Sequence, residues 1–277
     1  MSLLTLISWN MQHQSLNWET VLSSGADAAL LQEAKPPSPM LAKQMVMDIE
    51  DDHPAAKLPW RAAAVGLSKR IEFTPIPTQN LGEDNPNALM ISRPGTLAPA
   101  IIRILETGEE LIIVSLYSFW ANPIKYTKSN WIYADASVHR LISDLSALIG
   151  RPSGHKIIVA GDLNILYGYG DYGSPYWKRR YGTIFDRMSA LGLRFIGPQA
   201  PDGGEQATPW PAELPADSRN VPTFRTNKAK PETATRQLDY VFASNSIADR
   251  LSVRAANSLE EWGPSDHCRI FIDLKEK

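Results

Sequence analysis

Short apolar runs that stop at polar residues recur along the chain: Leu3 to Trp9, Ala28 to Gln32, Leu111 to Leu116, Lys156 to Ala160, Leu238 to Ala243 and Ile270 to Leu274. They are rich in Ile, Val and Leu and too short for helices, so they read as buried strands. Helical spacing lies between them. From Thr127 to Ile149, Trp131, Ala134, Val138, Leu141, Leu145 and Leu148 step by three and four along one face, and Gly150 supplies a stop. Shorter helices are expected over Leu16 to Ser24, Pro39 to Ile49 and Ile184 to Leu191, the last with Thr183 and Asp186 placed as a cap.

Strands and helices alternate, but several strands also follow one another across Pro-rich turns. This suits a layered α/β protein better than an all-parallel, doubly wound sheet. The least regular stretches are Tyr167–Tyr181 and Gln199–Arg236, and loops that long are usually lids or binding surfaces. There is no tandem repeat and no convincing linker, so residues 1–277 read as a single domain. Composition then narrows the class. The chain is 43 % apolar and 21 % charged, which is globular, and 277 residues are enough for a full two-sheet core. One cysteine, Cys268, excludes an intrachain disulfide and a thiolate-rich zinc site. A net charge of −2 argues against a generally basic protein that coats DNA, while leaving room for a local basic groove. No run approaches the ~18 apolar residues that span a bilayer, and the start lacks a leader pattern. A cytoplasmic monomer without membrane association is expected.

The chemistry sits where the apolar strands end. Ile7-Ser8-Trp9-Asn10 ends in an amide, Leu30-Leu31-Gln32-Glu33 in a carboxylate, and Ala160-Gly161-Asp162-Leu163-Asn164 in an acid and an amide two apart. Leu238-Asp239-Tyr240 begins a strand with an acid, and Ser265-Asp266-His267 precedes the last one. Each piece alone is an ordinary turn or a solvated strand end. Together they offer oxygen ligands and one imidazole, which suits a hard cation and a phosphate: Mg²⁺ and Mn²⁺ bind through one or two carboxylates plus the substrate's phosphate oxygens. The strand period would let Asp162 and Asn164 point the same way.

The ordered series Ser8-Trp9-Asn10, Leu31-Gln32-Glu33, Gly161-Asp162-Leu163-Asn164, Leu238-Asp239-Tyr240 and Ser265-Asp266-His267 resembles the endonuclease/exonuclease/phosphatase superfamily. The resemblance spans residues 8 to 267. It implies a four-layered α/β sandwich of two packed mixed β-sheets flanked by helices. It also implies hydrolysis of phosphoesters that depends on Mg²⁺ (or Mn²⁺). By the same resemblance Glu33 is the principal metal carboxylate, with Asn10 and Asp266 contributing. Asp162 matches the residue that orients or deprotonates the attacking water, and Asn164 its phosphate-contacting neighbour. His267 matches the phosphate-binding histidine and Asp239 the acid that fixes its tautomer. Tyr117 falls where apurinic endonucleases place an active-site tyrosine. Gln12 departs from the acid those enzymes carry two residues after the asparagine, which puts a second metal site in question. Their paired-tryptophan and basic stretch is also missing, so repair of abasic sites is not the expectation.

The segment after Asp162–Asn164 is crowded with Tyr167, Tyr169, Tyr172, Tyr176, Trp177, Lys178, Arg179, Arg180 and Tyr181. Aromatic rings interleaved with cations suit a nucleic-acid substrate, with a single strand or flexible end favoured, and Trp177, Lys178, Arg179 and Arg180 are the expected substrate contacts. A nuclease for DNA or RNA phosphodiesters is therefore the leading expectation. A phosphatase or phosphodiesterase for a nucleotide, inositol phosphate or lipid head group is the alternative. A silent binding module is disfavoured, because Glu33, Asp162, Asp239 and His267 are all retained. His13, His53, His139 and His155 read as structural or surface residues.

Overall fold

The computed structural model describes residues 2–47, 60–118, 133–150, 154–226 and 229–276. The strands are β1 Leu4–Asn10, β2 Ala28–Ala34, β3 Val46–Met47, β4 Arg61–Gly66, β5 Ile71–Pro75, β6 Thr78–Asn80, β7 Leu89–Ile91, β8 Leu97–Ile104, β9 Glu110–Tyr117, β10 Ile157–Asp162, β11 Leu193–Gly197, β12 Asp239–Ser244, β13 Leu251–Ala255 and β14 Ile270–Leu274. The α-helices are α1 Asn17–Leu22, α2 Pro39–Ala42, α3 Ala134–Leu145 and α4 Pro175–Ala190. One six-stranded sheet has the order β13-β14-β1-β2-β4-β3 and the other β11-β12-β10-β9-β8-β5; β6 and β7 pair separately. Both six-stranded sheets are mixed. Each is built around one parallel pair, β1/β2 in the first and β9/β10 in the second, with antiparallel neighbours on both sides.

Alternation along the strands sorts the core into layers. Leu4, Leu6, Leu30, Ile113, Ile158 and Val241 meet between the two sheets. Their neighbours Ile7, Trp9 and Leu31 turn the other way, onto Trp18 and Val21 of α1. On the outer side of the second sheet, Val159 and Phe242 pack with Val138 and Leu141 of α3 and Ile184 and Met188 of α4. Helices, sheet, sheet and helices make the four-layered sandwich that the family resemblance implies. Among the described residues no helix is long and apolar enough to cross a membrane.

All six expected strands are present, within two residues of their expected ends. The helices differ more. The expected helix over Thr127–Ile149 is described as α3 followed by a single 3₁₀ turn at Ser146–Leu148; residues 127–132, including Trp131, lie outside the described residues. The helix expected over Pro39–Ile49 lasts one turn and gives way to the edge strand β3, and residues 48–49 lie outside the described residues. The expectation that Ile184–Leu191 is a short helix capped by Thr183 is corrected. The helix begins at Pro175, and Ser174 is the cap, accepting from the Trp177 N–H. Ser before Pro gives the cap and a pre-set first turn. Thr183 instead lies mid-helix and bonds back to the Arg180 carbonyl. The irregular stretch expected over Tyr167–Tyr181 is therefore half helical.

One glycine is dictated by the packing. Gly161 in β10 lies beside β9 so closely that a Cβ would sit 1.8 Å from the Leu116 carbonyl oxygen. The close approach fixes Asp162, the next residue, against Tyr117 in the β9/β10 register. Gly161→Ala is expected to lose about 3 kcal/mol of stability, the upper end for an overpacked site, read as a lower urea midpoint at unchanged slope. An unshifted midpoint would mean that β9 and β10 part without cost.

Candidate active site

Topology brings the polar strand ends together. β1, β2, β9 and β10 end at one edge of the sandwich. β12 and β14 run antiparallel to β10 and β1, so they begin at that same edge, with Asp239 directly opposite Asp162. Asn10, Asp162, Asp239 and Tyr117 share the phase of the inter-sheet core residues two and four positions earlier or later. They therefore converge in the cleft between the sheets.

Asp162 is the hub. It is buried, and its Oδ2 accepts from Asn10 Nδ2 at 3.0 Å and Asn164 Nδ2 at 3.1 Å, while Oδ1 accepts from the Asn164 backbone N–H at 2.9 Å. The strand period is not what aligns Asn164 with it: β10 stops at Asp162, and a left-handed Asn164, φ 51°, folds its amide back. His267 Nδ1 lies 2.8 Å from Asp239 Oδ2, and its Nε2 lies 3.7 Å from Asp162 Oδ2. The Trp9 indole N–H donates to the His267 carbonyl, and the Thr223 hydroxyl accepts from the Asp239 backbone N–H.

These charges decide the protonation states. Burial alone would neutralise the His267 ring, but Asp239 and then Asp162 more than reverse this and push it up to about 10. The sizes agree: each pair at ~4 Å is worth about 4 kcal/mol at an effective dielectric of ~20, and two carboxylates act on one imidazolium. Asp162 is pushed up to about 7 by burial, with His267 and the Asn10 amide opposing and Asp239 and Glu33 reinforcing the rise. Burial and the nearby Glu33 also push the Tyr117 phenol far up, so Tyr117 is an O–H donor at neutral pH.

Glu33 reaches the site by breaking the strand rule. Strict alternation in β2 would turn it away from the cleft, since Gln32 faces between the sheets and bonds to Ser115 Oγ. The pairing of β2 with β4 slips between Leu31 and Ala34, and Glu33 is left-handed, φ 51°. This bulge re-aims the side chain, as bulges beside functional sites do. Glu33 Oε1 accepts from the Tyr117 hydroxyl at 2.7 Å, and Oε2 lies 3.0 Å from His13 Nε2. Asp266 is pushed up by burial and by Glu33, with His267 opposing, and its Oδ2 accepts from Gln12 Nε2 at 3.0 Å.

The donor set fits a divalent cation. Glu33 raises the proton affinity of both Asp162 and Asp266, so three carboxylates share negative charge that His267 only partly offsets. Asp162, Asp239 and His267 also have ligand atoms within 4.8 Å of one another. In that trio His267 is already gripped by Asp239 at 2.8 Å, whereas Glu33 and Asp266 are part-exposed oxygen donors.

Of the expected substrate contacts, Lys178 and Arg179 are exposed on α4. Trp177 and Arg180 are part-buried. Trp177 packs on the core between Tyr133, Tyr176 and Tyr181. Arg180 Nε donates at 2.7 Å to the buried Asp135, and its guanidinium lies 5.3–5.7 Å from the rings of Tyr133, Tyr176 and Trp177. Two participants are absent from the expected set. Gln12 was read as a departure and His13 as structural or surface, yet both touch carboxylates of the site. The sequence signal was their place just after Asn10. His139 bonds to Arg187, and His155 to Ser244 and the Leu191 carbonyl, as structural residues do; His53 lies outside the described residues.

A two-sheet sandwich with carboxylates, amides and a clamped imidazole at its strand ends defines a phosphoesterase class. The family model described as Endonuclease/Exonuclease/phosphatase family matches residues 7–267, and the chain belongs to that family. Its members are hydrolytic phosphoesterases that generally use divalent metals. A search of curated proteins finds no match. Among solved structures, the fold resembles the endonuclease domain of TRAS1, a telomere-specific non-LTR retrotransposon, at 15 % identity and TM-score 0.61, covering 99 % of both chains. It resembles the AP endonuclease LMAP from Leishmania major at 15 % identity and TM-score 0.61, covering 99 % of this chain and 88 % of that one. A mannosyl-6-phosphatase from Bacteroides thetaiotaomicron aligns at 15 % identity and TM-score 0.55, covering 99 % of this chain and all of that one.

The 2.8 Å contact between His267 and Asp239 can be weighed by a double-mutant cycle of Asp239→Asn and His267→Gln in urea at pH 7. A coupling of about 1.5–3 kcal/mol is expected for a buried, charge-assisted hydrogen bond. Additive effects would show that the contact carries no coupling.

Proposed function

We propose that the protein is a divalent-metal-dependent phosphodiesterase, a nuclease that hydrolyses DNA or RNA by in-line attack of water. The observation that carries this reading is the buried Asp162 carboxylate, fixed by three N–H donors and facing the His267 imidazolium. Such a carboxylate is fixed in direction and, at about 7, is tuned to take a proton from water near neutral pH. His267, held cationic by Asp239, offsets charge on the phosphoryl oxygens, and the Asn164 amide and Tyr117 hydroxyl add neutral donors beside it. Glu33, Asp266 and Asn10 would hold Mg²⁺ or Mn²⁺, which when bound supplies positive charge at the phosphoryl oxygens.

Nucleic acid is supported by an exposed surface that follows the Asp162–Asn164 motif in sequence. Tyr172 is 95 % exposed, and Tyr176, Lys178 and Arg179 are exposed close by in sequence, rings and cations suited to bases and phosphates. One observation favours a small phosphorylated ligand instead: Arg180, which a polynucleotide would use, is already neutralised by Asp135.

Purified protein with Mg²⁺ is expected to cleave labelled single-stranded or duplex DNA or RNA, and excess chelator to abolish this. Glu33→Gln and Asp162→Asn should each lower turnover by about a hundredfold or more, and Glu33→Gln should leave the melting temperature in chelator nearly unchanged. Turnover that survives both substitutions, or persists in chelator, would refute the mechanism. Hydrolysis of a small phosphomonoester with no cleavage of any polynucleotide would favour the alternative.

Trp177 and Arg180 anchor α4, so the substrate contact is tested with Lys178→Ala/Arg179→Ala alone. Polynucleotide affinity should fall and its salt dependence flatten by about two phosphate contacts, with hydrolysis of a chromogenic phosphodiester unchanged. Unaltered polynucleotide binding would remove this face of α4 from the substrate path.

A further inference from the structure

Two consecutive left-handed residues, Gln12 at φ 49° and His13 at φ 58°, touch every member of the proposed metal set. The Gln12 backbone N–H donates to Asn10 Oδ1 at 2.9 Å, and its side-chain amide donates to Asp266 Oδ2 at 3.0 Å. His13 Nε2 lies 3.0 Å from Glu33 Oε2, and the His13 backbone N–H donates to the Glu33 carbonyl. We propose that Gln12-His13 is a positioning device that aims Asn10, Asp266 and Glu33 at a single divalent cation, with His13 setting the direction of the Glu33 carboxylate. The inference rests on the metal reading above.

The ring geometry supports the role. His13 Nδ1 is buried with no hydrogen-bond partner among the described residues, so the ring proton belongs on Nε2, where Glu33 accepts it. Trp60 lies against the ring at 4.9 Å, tilted by 36°, and limits its rotation. Glu33 is then held from both sides, by Tyr117 on Oε1 and His13 on Oε2. Each carboxylate oxygen has two lone-pair directions, so both retain one for a cation. Neighbours of this kind typically change metal affinity by 10–100-fold.

A purely structural role explains the arrangement poorly. Left-handed non-glycine backbone costs of order 1–3 kcal/mol per residue and persists where the surroundings over-determine it. Among the described residues five non-glycine positions have positive φ, and four of them, Gln12, His13, Glu33 and Asn164, sit in this site. His13 contributes little to the core, with 37 % of its side chain exposed. Gln12 also bears on stoichiometry. An acid at that position would add an anionic ligand, whereas the Gln12 amide is neutral and donates to Asp266, which favours one cation over two.

Mn²⁺ binding, followed through the free-ion EPR signal without substrate, tests the proposal. The wild type is expected to bind one Mn²⁺ per chain, with Glu33→Gln as the non-binding control. His13→Gly removes the ring without straining the left-handed backbone, and it should weaken binding 10–100-fold while the melting temperature in chelator holds. His13→Gln restores an N–H donor and should recover most of the affinity. If the glycine variant does not fold, His13→Asn tolerates the same backbone, is too short to reach Glu33, and carries the same expectation. Equal affinity in wild type and the ring-deleted variant, no recovery with Gln, or two Mn²⁺ per chain would overturn the proposal while leaving the metal reading intact. A wild type that binds no Mn²⁺ would overturn both.

Discussion

Four carboxylates, Glu33, Asp162, Asp239 and Asp266, converge on one edge of the sandwich, and Asp162 and Asp239 are buried there. Like charges in such a place cost several kcal/mol unless cations or donors offset them. Much of the local structure answers that constraint. Asp239 and Asp162 keep His267 charged against the pull of burial. Asn10 and Asn164 turn amide N–H groups onto Asp162, and Gln12 turns one onto Asp266. The left-handed backbone collects here because regular strands alone cannot bring so many polar groups to one point.

This constraint also explains how much of the site was legible beforehand. Strand ends announce themselves in sequence as apolar runs that stop at an amide or acid, and six strands with their terminal polar residues were found that way. The missed strands carry weaker patterns. β8 contains Pro99, Ala98 and Arg103, β4 is half alanine, and β13 alternates with Ser252 and Arg254. The first turns of α4 were hidden by their composition, since tyrosines and cations look like a loop unless Ser174-Pro175 is read as a cap.

The roles of Gln12 and His13 were not legible for a different reason. Alternation predicts which side chains share a face, but these two depend on successive residues with positive φ, which no spacing rule indicates. Glu33 was identified by its place in an ordered motif, although a period-two reading of β2 would have turned it away from the cleft. Arg180 shows the opposite error. Composition marked it as a surface cation, and tertiary structure commits it to Asp135, a carboxylate only 2 % exposed. Leaving Asp135 buried without its partner would be costly, so Arg180 serves the α3–α4 contact before it serves any ligand.

The same charges bear on where a cation would sit in the proposed mechanism. A metal held between Asp162, Asp239 and His267 through the His267 Nε2 would have to expel the proton from that nitrogen. The group that offsets phosphate charge in the proposed mechanism would be lost with it. A cation beside Glu33 and Asp266 would displace no proton of that kind. It would relieve the repulsion that Glu33 exerts on Asp162 and Asp266. It would also leave His267 charged beside Asp162. Two separate positive centres, a cation at Glu33 and a proton on His267, would then flank one carboxylate. In-line hydrolysis asks for that arrangement, because charge develops on both sides of the phosphorus while water is deprotonated.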